Sequence, residues 1–512
     1  MFRRLLSVGG FTLLSRITGF MRDILQAAVL GAGPMSDAFI VAFMFPNYFR
    51  SIFGEGTINP AFLPRYAALH ARGEHREAAL FADRVFSWQM LAQLVILLAA
   101  LLCMPLIVRI VAPGFLEHPG QLALTVSLAR ITFPYLILTV VAIQLSAMLN
   151  AIDKFWAAAA WSNFQNLGMI ATLLLAGWFP NAAYAAAWGV LAGGFAQLFF
   201  MLWAGRRDGL SLHIAWPRWT REIRDFFRAL GAVSIGAAGV FVAPFIDTII
   251  ASLLPAGSRT ALYYADRIDQ LPLGVLGIAV GTVLLPEMST RLALGDRAGS
   301  DHAQNRSASL SLLLTLPFAA VFLVIPDTIM RGIFAHGAFD KHAAALSAIA
   351  LAAYGVGLPA FALSRIVQAT FYARHETATP ARVTITALLC NIALKIVFVW
   401  GFHLGIAGVA LGTSIGAWLN VGILTVIGRR RALLSMDDNF RRAVMPVIVA
   451  AVAAGAGAWA GTMLGHSIHV QRFHEEIALL FAFVFGCAAY GAAVLVFRRS
   501  LPLGGLVRTR TA

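Results

Sequence analysis

A chain of 512 residues, 59% of them hydrophobic and only 12% charged, is a chain whose solvent is mostly lipid. Its net charge of +15 is spread between apolar runs instead of gathered on one basic surface, which excludes a nucleic-acid-binding reading. Cys103, Cys390 and Cys487 each stand alone in an apolar run, which excludes a disulfide framework or a CxxC centre and leaves core packing.

The N-terminal run MFRRLLSVGGF places basic residues before an apolar stretch, but Arg16 interrupts that stretch and no small-residue cleavage site follows, so no cleaved signal peptide is expected. Windows of about 20 apolar residues, enough to cross roughly 30 Å of hydrocarbon, then recur fourteen times. The first two, 5–30 and 35–55, carry internal charge: Arg16, Arg22 and Asp23 in LLSRITGFMRDILQAAVLG, then Asp37, Arg50 and Glu55. Windows at 79–112, 121–150, 156–179 and 182–205 follow. Beyond a basic polar stretch come 226–254 and 258–289, the second of which holds ALYYADRIDQLPLG, with Asp266, Arg267 and Asp269 before Pro272. The remaining windows are 306–333, 342–373, 380–402, 405–428, 441–464 and 476–498.

Loop charges orient these spans, because Lys and Arg accumulate on the cytoplasmic side. With the N-terminus inside, one set of loops holds Arg65, Arg72, Arg76, Lys154, Arg206, Arg207, Arg218, Arg221, Arg224 and Arg429 to Arg431, while the other holds only Arg259, Arg331, Lys341 and Arg472. Both termini are therefore expected in the cytoplasm. The chain also echoes itself. INPAFLPRYAAL around Pro64 resembles GTVLLPEMSTRL around Pro286 at an offset of 222 residues, and Pro134 and Asn166 answer to Pro359 and Asn391 at 225. Gln197 and Asn420 share an offset of 223. Six spans per repeat is an even number, so the halves enter the membrane from the same side, a parallel repeat about an axis along the membrane normal. The expected architecture is all-α and polytopic, with an N-lobe over 1–207, a C-lobe over 218–431 and two extra spans over 440–500.

A charge at the centre of a membrane helix costs about 2.5–3.5 kcal/mol on insertion scales, so the arginines need an account. Arg50, near a span end, could snorkel to the interface. Asp23 and Asp37 could pair internally with two of the arginines, which leaves one over. An anionic ligand in a wet cavity between the lobes could be gripped bidentately by guanidinium groups, and an intramembrane ionisable residue is functional by default. At about 100° per residue Arg16 and Arg22 leave different faces of a helix, so a shared target would need Gly19 to loosen the backbone. No HExxH, Walker loop or Gly-x-Ser-x-Gly elbow is present, and an enzyme acting on polyprenyl-linked sugars would want a carboxylate or His for acid–base work in a large outer loop, whereas these outer loops are short. A drug–cation antiporter would want excess acid where this chain is basic. The cluster GHSIHVQRFHEE, with His466, His469, His474, Glu475 and Glu476, has residue types that bind metal, but an exposed polar loop accounts for it and is the reading preferred, so no metal or cofactor is expected.

The runs SRITGFMRD, SDAFIVAFMFPNYFRSIFGEGTINPAFLP and YYADRIDQLPLGVLGIAVGTVLLP resemble the signature of the MurJ (MviN) family, bacterial lipid II flippases of the multidrug/oligosaccharidyl-lipid/polysaccharide (MOP) exporter superfamily. The resemblance runs along the whole chain. It implies the fourteen-helix, two-lobed exporter fold in the inner membrane, no enzymatic activity, and lipid II as the transported partner. It also implies cavity arginines at Arg16, Arg22, Arg50 and Arg267, with Asp23 pairing between Arg22 and Arg267, and further polar positions at Asp37, Glu55 and Asp266. The pyrophosphate would meet the arginines, while the lipid tail would need an apolar exit, for which the two extra spans could supply a groove or mere bracing. The protein is expected to act as a monomer among membrane lipids, with a coupling ion or the membrane potential as candidate drivers. Another polyprenyl-linked sugar or a drug is the alternative cargo for the same fold.

Overall fold

The computed structural model describes residues 2–50, 58–279, 283–468 and 473–501, and among these every regular element is helical. Nine helical stretches among them are long and apolar enough to cross a membrane. The other five sequence windows, near 5–30, 35–55, 156–179, 226–254 and 258–289, also fall on helices, but charge or amide side chains dilute their apolarity or the apolar stretch is short. Glu55 and His469 lie outside the described residues.

By packing, the chain divides into two units, Met1–Arg259 with Gly337–Phe339, and Thr260–His336 with Asp340–Ala512. The first contains α1 (Phe2–Leu30), α2 (Pro34–Arg50), α3 (Ile58–Ala71), α4 (His75–Val111), α5 (Pro119–Thr132), α6 (Tyr135–Ala151), α7 (Phe155–Leu174), α8 (Ala182–Arg207) and α9 (Arg221–Ser252). α9 packs on α3 and α4 here, so the division by packing falls later in the chain than the division by repeat. Stacked rings of Phe62, Tyr66 and Phe81 join α3 to α4, and α2 is buried continuously from Ser36 to Pro46, as a helix apolar all round must be. α5 and α6 form one span broken at Pro134, which has no N–H to continue the ladder.

The second unit contains α10 (Ser258–Ala279), α11 (Leu285–Ala293), α12 (Arg297–Val324), α13 (Pro326–Phe334), α14 (Lys341–Tyr372), α15 (Ala378–Ile396), α16 (Gly405–Arg430), α17 (Asp438–Ser467) and α18 (His474–Val496). Acidic side chains outside the apolar stretches start its helices: Asp296, Asp340 and Asp437 each accept a backbone N–H three residues on, at 2.7–2.8 Å, capping α12, α14 and α17.

The repeat is visible inside each unit as the same seam. Gly193 of α8 lies where a Cβ would meet the backbone of Gln165 on α7 at 2.7 Å, and Gly416 of α16, 223 residues later, lies where a Cβ would meet Asn391 of α15 at 2.8 Å. One turn earlier Gly189 and Gly412 repeat the arrangement against Met169 and Lys395. Small residues four apart let backbones approach where lipid offers no hydrophobic drive to associate. The amide echo is used alike as well: Tyr135 on α6 donates to Gln197 of α8 at 3.1 Å, and Ser364 on α14 donates to Asn420 of α16 at 2.8 Å. Gly193→Val or Gly416→Val should therefore destabilise the folded protein by about 1–3 kcal/mol through overpacking. Gly177→Ala, with open space around its Cα, should change it by less than about 0.5 kcal/mol. Detergent-solubilised unfolding curves check both.

Candidate functional site

The polar centre of the first unit is built where α1 meets α7. Arg22, 8% exposed, donates through Nε and Nη2 to Oδ1 of Asp23 at 3.1 and 2.6 Å, and through Nη1 to Oδ1 of Asn166 on α7 at 3.0 Å. The Asn166 amide in turn donates to the Ser15 carbonyl at 3.2 Å and to Thr18 Oγ1 at 3.1 Å. Thr18 reaches Oδ1 of Asn163 at 3.2 Å, and the hydroxyls of Ser15 and Ser162 meet at 2.9 Å. Five polar side chains besides the ion pair thus form one continuous seam along two membrane helices. The guanidinium has a fixed geometry because both sides of it are held. A planar fork so oriented is suited to carboxylate or phosphate oxygens.

The other expected residues are placed differently. Arg16 lies on the exposed flank of α1 and forms no ion pair among the described residues. Gly19 does not break the helix that separates Arg16 from Arg22; it lies against Asn166, with room for a Cβ at 3.4 Å from Nδ2. Arg50 ends α2 half-buried and donates to Asn47 at 3.0 Å. Asp37, 2% exposed in the first turn of α2, accepts the backbone N–H of Gly257 at 2.7 Å and so holds the turn after α9, where Gly257 has φ +89°. In the second unit Arg267 of α10 donates to the Tyr263 hydroxyl at 3.0 Å and lies over that ring, 4.7 Å from its centroid. Asp266 accepts from Gln270 at 2.6 Å, and Asp269 is buried.

Two residues escaped the sequence reading. Asn166 was visible only as a repeat echo, since nothing local marks it as the partner of an arginine 144 residues away. Lys395, 1% exposed on α15, sits inside the window 380–402, where a lone lysine in an apolar run was the available signal.

An apolar groove of about 620 Å³ runs along the second unit. Leu313 and Phe318 of α12, Ile329 of α13, Ala454 of α17, and Leu480 and Phe483 of α18 line it, with Glu476 its one charged lining residue among those described. Tyr490 of α18 donates to the Leu313 carbonyl at 2.6 Å and ties α18 to α12 across it.

Comparison with known proteins gives three concordant results. A family model described as lipid II flippase MurJ matches residues 26–477. The probable lipid II flippase MurJ of Rhizobium tropici is 39% identical over 463 residues, which cover 88% of this chain and 86% of that protein. The corresponding protein of Rhizobium meliloti (strain 1021) is 35% identical over 524 residues, covering 98% and 96%. Among solved structures, lipid II flippase MurJ in an inward closed conformation superposes with a TM-score of 0.77 at 23% identity, covering 96% of this chain and 99% of that one. An inward-facing multidrug resistance MATE family transporter of the MOP superfamily follows at 0.66 and 16% identity, covering 84% and 98%.

Asn166→Leu should cost about 1–2 kcal/mol, because it deprives a buried charged group of a partner. Asn163→Leu, whose partner Thr18 is neutral, should cost clearly less. Unfolding of the two purified variants against the parent measures the difference, and equal losses would refute the assignment of Asn166 as support for Arg22.

Proposed function

The chain belongs to the MurJ family of lipid II flippases, a multi-pass membrane protein of the MOP exporter fold and a transporter, not an enzyme, and on that premise we propose that it carries lipid II from the cytoplasmic to the periplasmic leaflet of the inner membrane. In this reading Arg16, Arg22, Arg50 and Arg267 bind the pyrophosphate, and the protein works by alternating access as a monomer, driven by a coupling ion or the membrane potential. Asp23, Asp37 and Asp266, with Glu55, form the supporting charge network, and the groove beside α17 and α18 takes the lipid tail. The observation that carries the reading is Arg16. A guanidinium midway along an apolar span that meets no carboxylate among the described residues must face water or an anion, because lipid would exact a cost of several kcal/mol. The neighbouring Arg22, locked by Asp23 and Asn166, adds a second donor set in fixed geometry.

Complementation of cells depleted of their own lipid II flippase tests the function. The parent chain should restore growth, and Arg16→Ala or Arg267→Ala should abolish rescue while the protein still accumulates in the membrane. At Arg22 the alanine variant also strands Asp23, so the informative variants are Arg22→Lys, expected to rescue partly because the planar fork is lost, and the double Arg22→Ala/Asp23→Asn, expected not to rescue. Full rescue by all of these would end the pyrophosphate reading.

The orientation has its own test, in a background lacking the three native cysteines. The thiol introduced by Lys341→Cys should react with a membrane-impermeant reagent in intact spheroplasts, and that from Ser211→Cys should be protected. Gly337 is a poor probe site, since it has φ +61° and a Cβ there would strike Ala28. The opposite labelling pattern would reverse the assigned topology.

A further inference from the structure

Ionisable side chains from three helices of the second unit converge where α17 ends and α18 begins. His466 closes α17, His474, Glu475 and Glu476 open α18, and Arg331 of α13 reaches them. One ligand atom each from His466, His474 and Glu475 lie within 4.8 Å of one another, and all three residues are half-buried. We propose that these three side chains form a binding site for a zinc-like divalent cation that clasps the α17–α18 hairpin.

The two oxygens of Glu475 divide their work. Oε2 faces His466 Nε2 at 3.5 Å, while Oε1 faces Arg331 Nη1 at 3.6 Å, and Arg331 is itself anchored through Nε to Asp327 at 2.8 Å. A carboxylate with one oxygen held by an arginine is oriented for the other to ligate, the outer support that metal sites characteristically carry. His466 Nε2 is buried and has no hydrogen-bond partner among the described residues, and a metal would satisfy it. His474 meets the His466 carbonyl through Nε2 at 3.2 Å, and since a carbonyl only accepts, that nitrogen carries the proton and Nδ1 is left for the metal.

Tetrahedral zinc with bonds of 2.0–2.2 Å separates its ligand atoms by about 3.3 Å. The His466–Glu475 pair is near that spacing already, at 3.5 Å, whereas the His474 ring lies stacked on that of His466, 4.9 Å between centroids, and turns out of the stack to bring its nitrogen to the ion. Two imidazoles and one carboxylate suit zinc and not magnesium or calcium, which prefer all-oxygen shells, and three ligands leave a fourth position for water. The positive end of the α18 dipole opposes a cation there, but Glu475 and Glu476 in its first turn offset that field. The site lies at one end of the apolar groove, since Glu476 and Leu479 line it, so an ion here would fix the end of the groove wall.

The test uses the full-length chain, freed of any His tag, in nanodiscs. The other close histidine pair, His70 and His75, is changed to Ala in every sample so that it cannot compete. After EDTA treatment and desalting, zinc chloride is titrated and retained zinc is measured by mass spectrometry alongside the thermal midpoint. One zinc per chain should be retained, with a rise in midpoint that magnesium does not produce. His466→Ala, His474→Ala and Glu475→Gln should each weaken zinc binding at least tenfold and abolish the rise. His336→Ala, which removes a neighbour facing Glu476 and not a ligand, should change binding less than twofold. Retention of no zinc by the parent, or equal retention by the His466 and His474 variants, would overturn the site. Midpoints of the zinc-free variants equal to the parent's would exclude misfolding as the cause of lost binding.

Discussion

A buried guanidinium inside a lipid-facing helix is the constraint around which the first unit is arranged. The cost of burying the Arg22 charge is offset by Asp23, which neutralises it, and by Asn166, which accepts from its other edge, and Asn166 can do so only if α7 lies against α1. The same amide then returns to the Ser15 carbonyl and Thr18, so one polar residue settles both the charge and the packing of two helices. Breaking one partner of such a set leaves a charge exposed to low dielectric, which is why its members are worth more together than the pairwise contacts suggest.

Where no charge dictates the pairing, glycine does. The seams at Gly189 and Gly193, and at Gly412 and Gly416, bring the helix pairs of each unit to backbone contact. Close approach also explains how Lys395 is accommodated, since Gly412 leaves the space its aliphatic stem fills. The two devices are complementary: polar side chains select a partner helix, and small residues set the distance at which the selection operates.

The lipid-facing class, the repeat and the succession of helices were legible in the sequence because each rests on composition and spacing, which are local or periodic. The break at Pro134 was not, since 121–150 reads as one continuous window, and its repeat mate Pro359 lies within an unbroken α14. At the site, the arginines stood out by their cost in lipid. Their surroundings did not. Asp37 reads as a partner for charge, and its acceptance of the Gly257 backbone N–H could not be read from sequence, because a carboxylate in the first turn of a buried helix meets whatever turn is folded over it. Asn166 was hidden as a partner because a contact across many residues leaves no local trace, whereas Lys395 carried one, a lone lysine in an apolar run.

α18 fully buries only Ala478, Ala482 and Gly486, residues four apart on the face that meets Gly457, Gly461 and Gly465 of α17 at backbone distance. Its other faces are left to the groove and to the surrounding acyl chains. Its seating should therefore respond to the thickness and order of the bilayer, and detergent extraction would relax it first. The width of the groove it walls then becomes a property shared between the protein and the membrane, so that lipid composition tunes how readily a long chain can enter from the side.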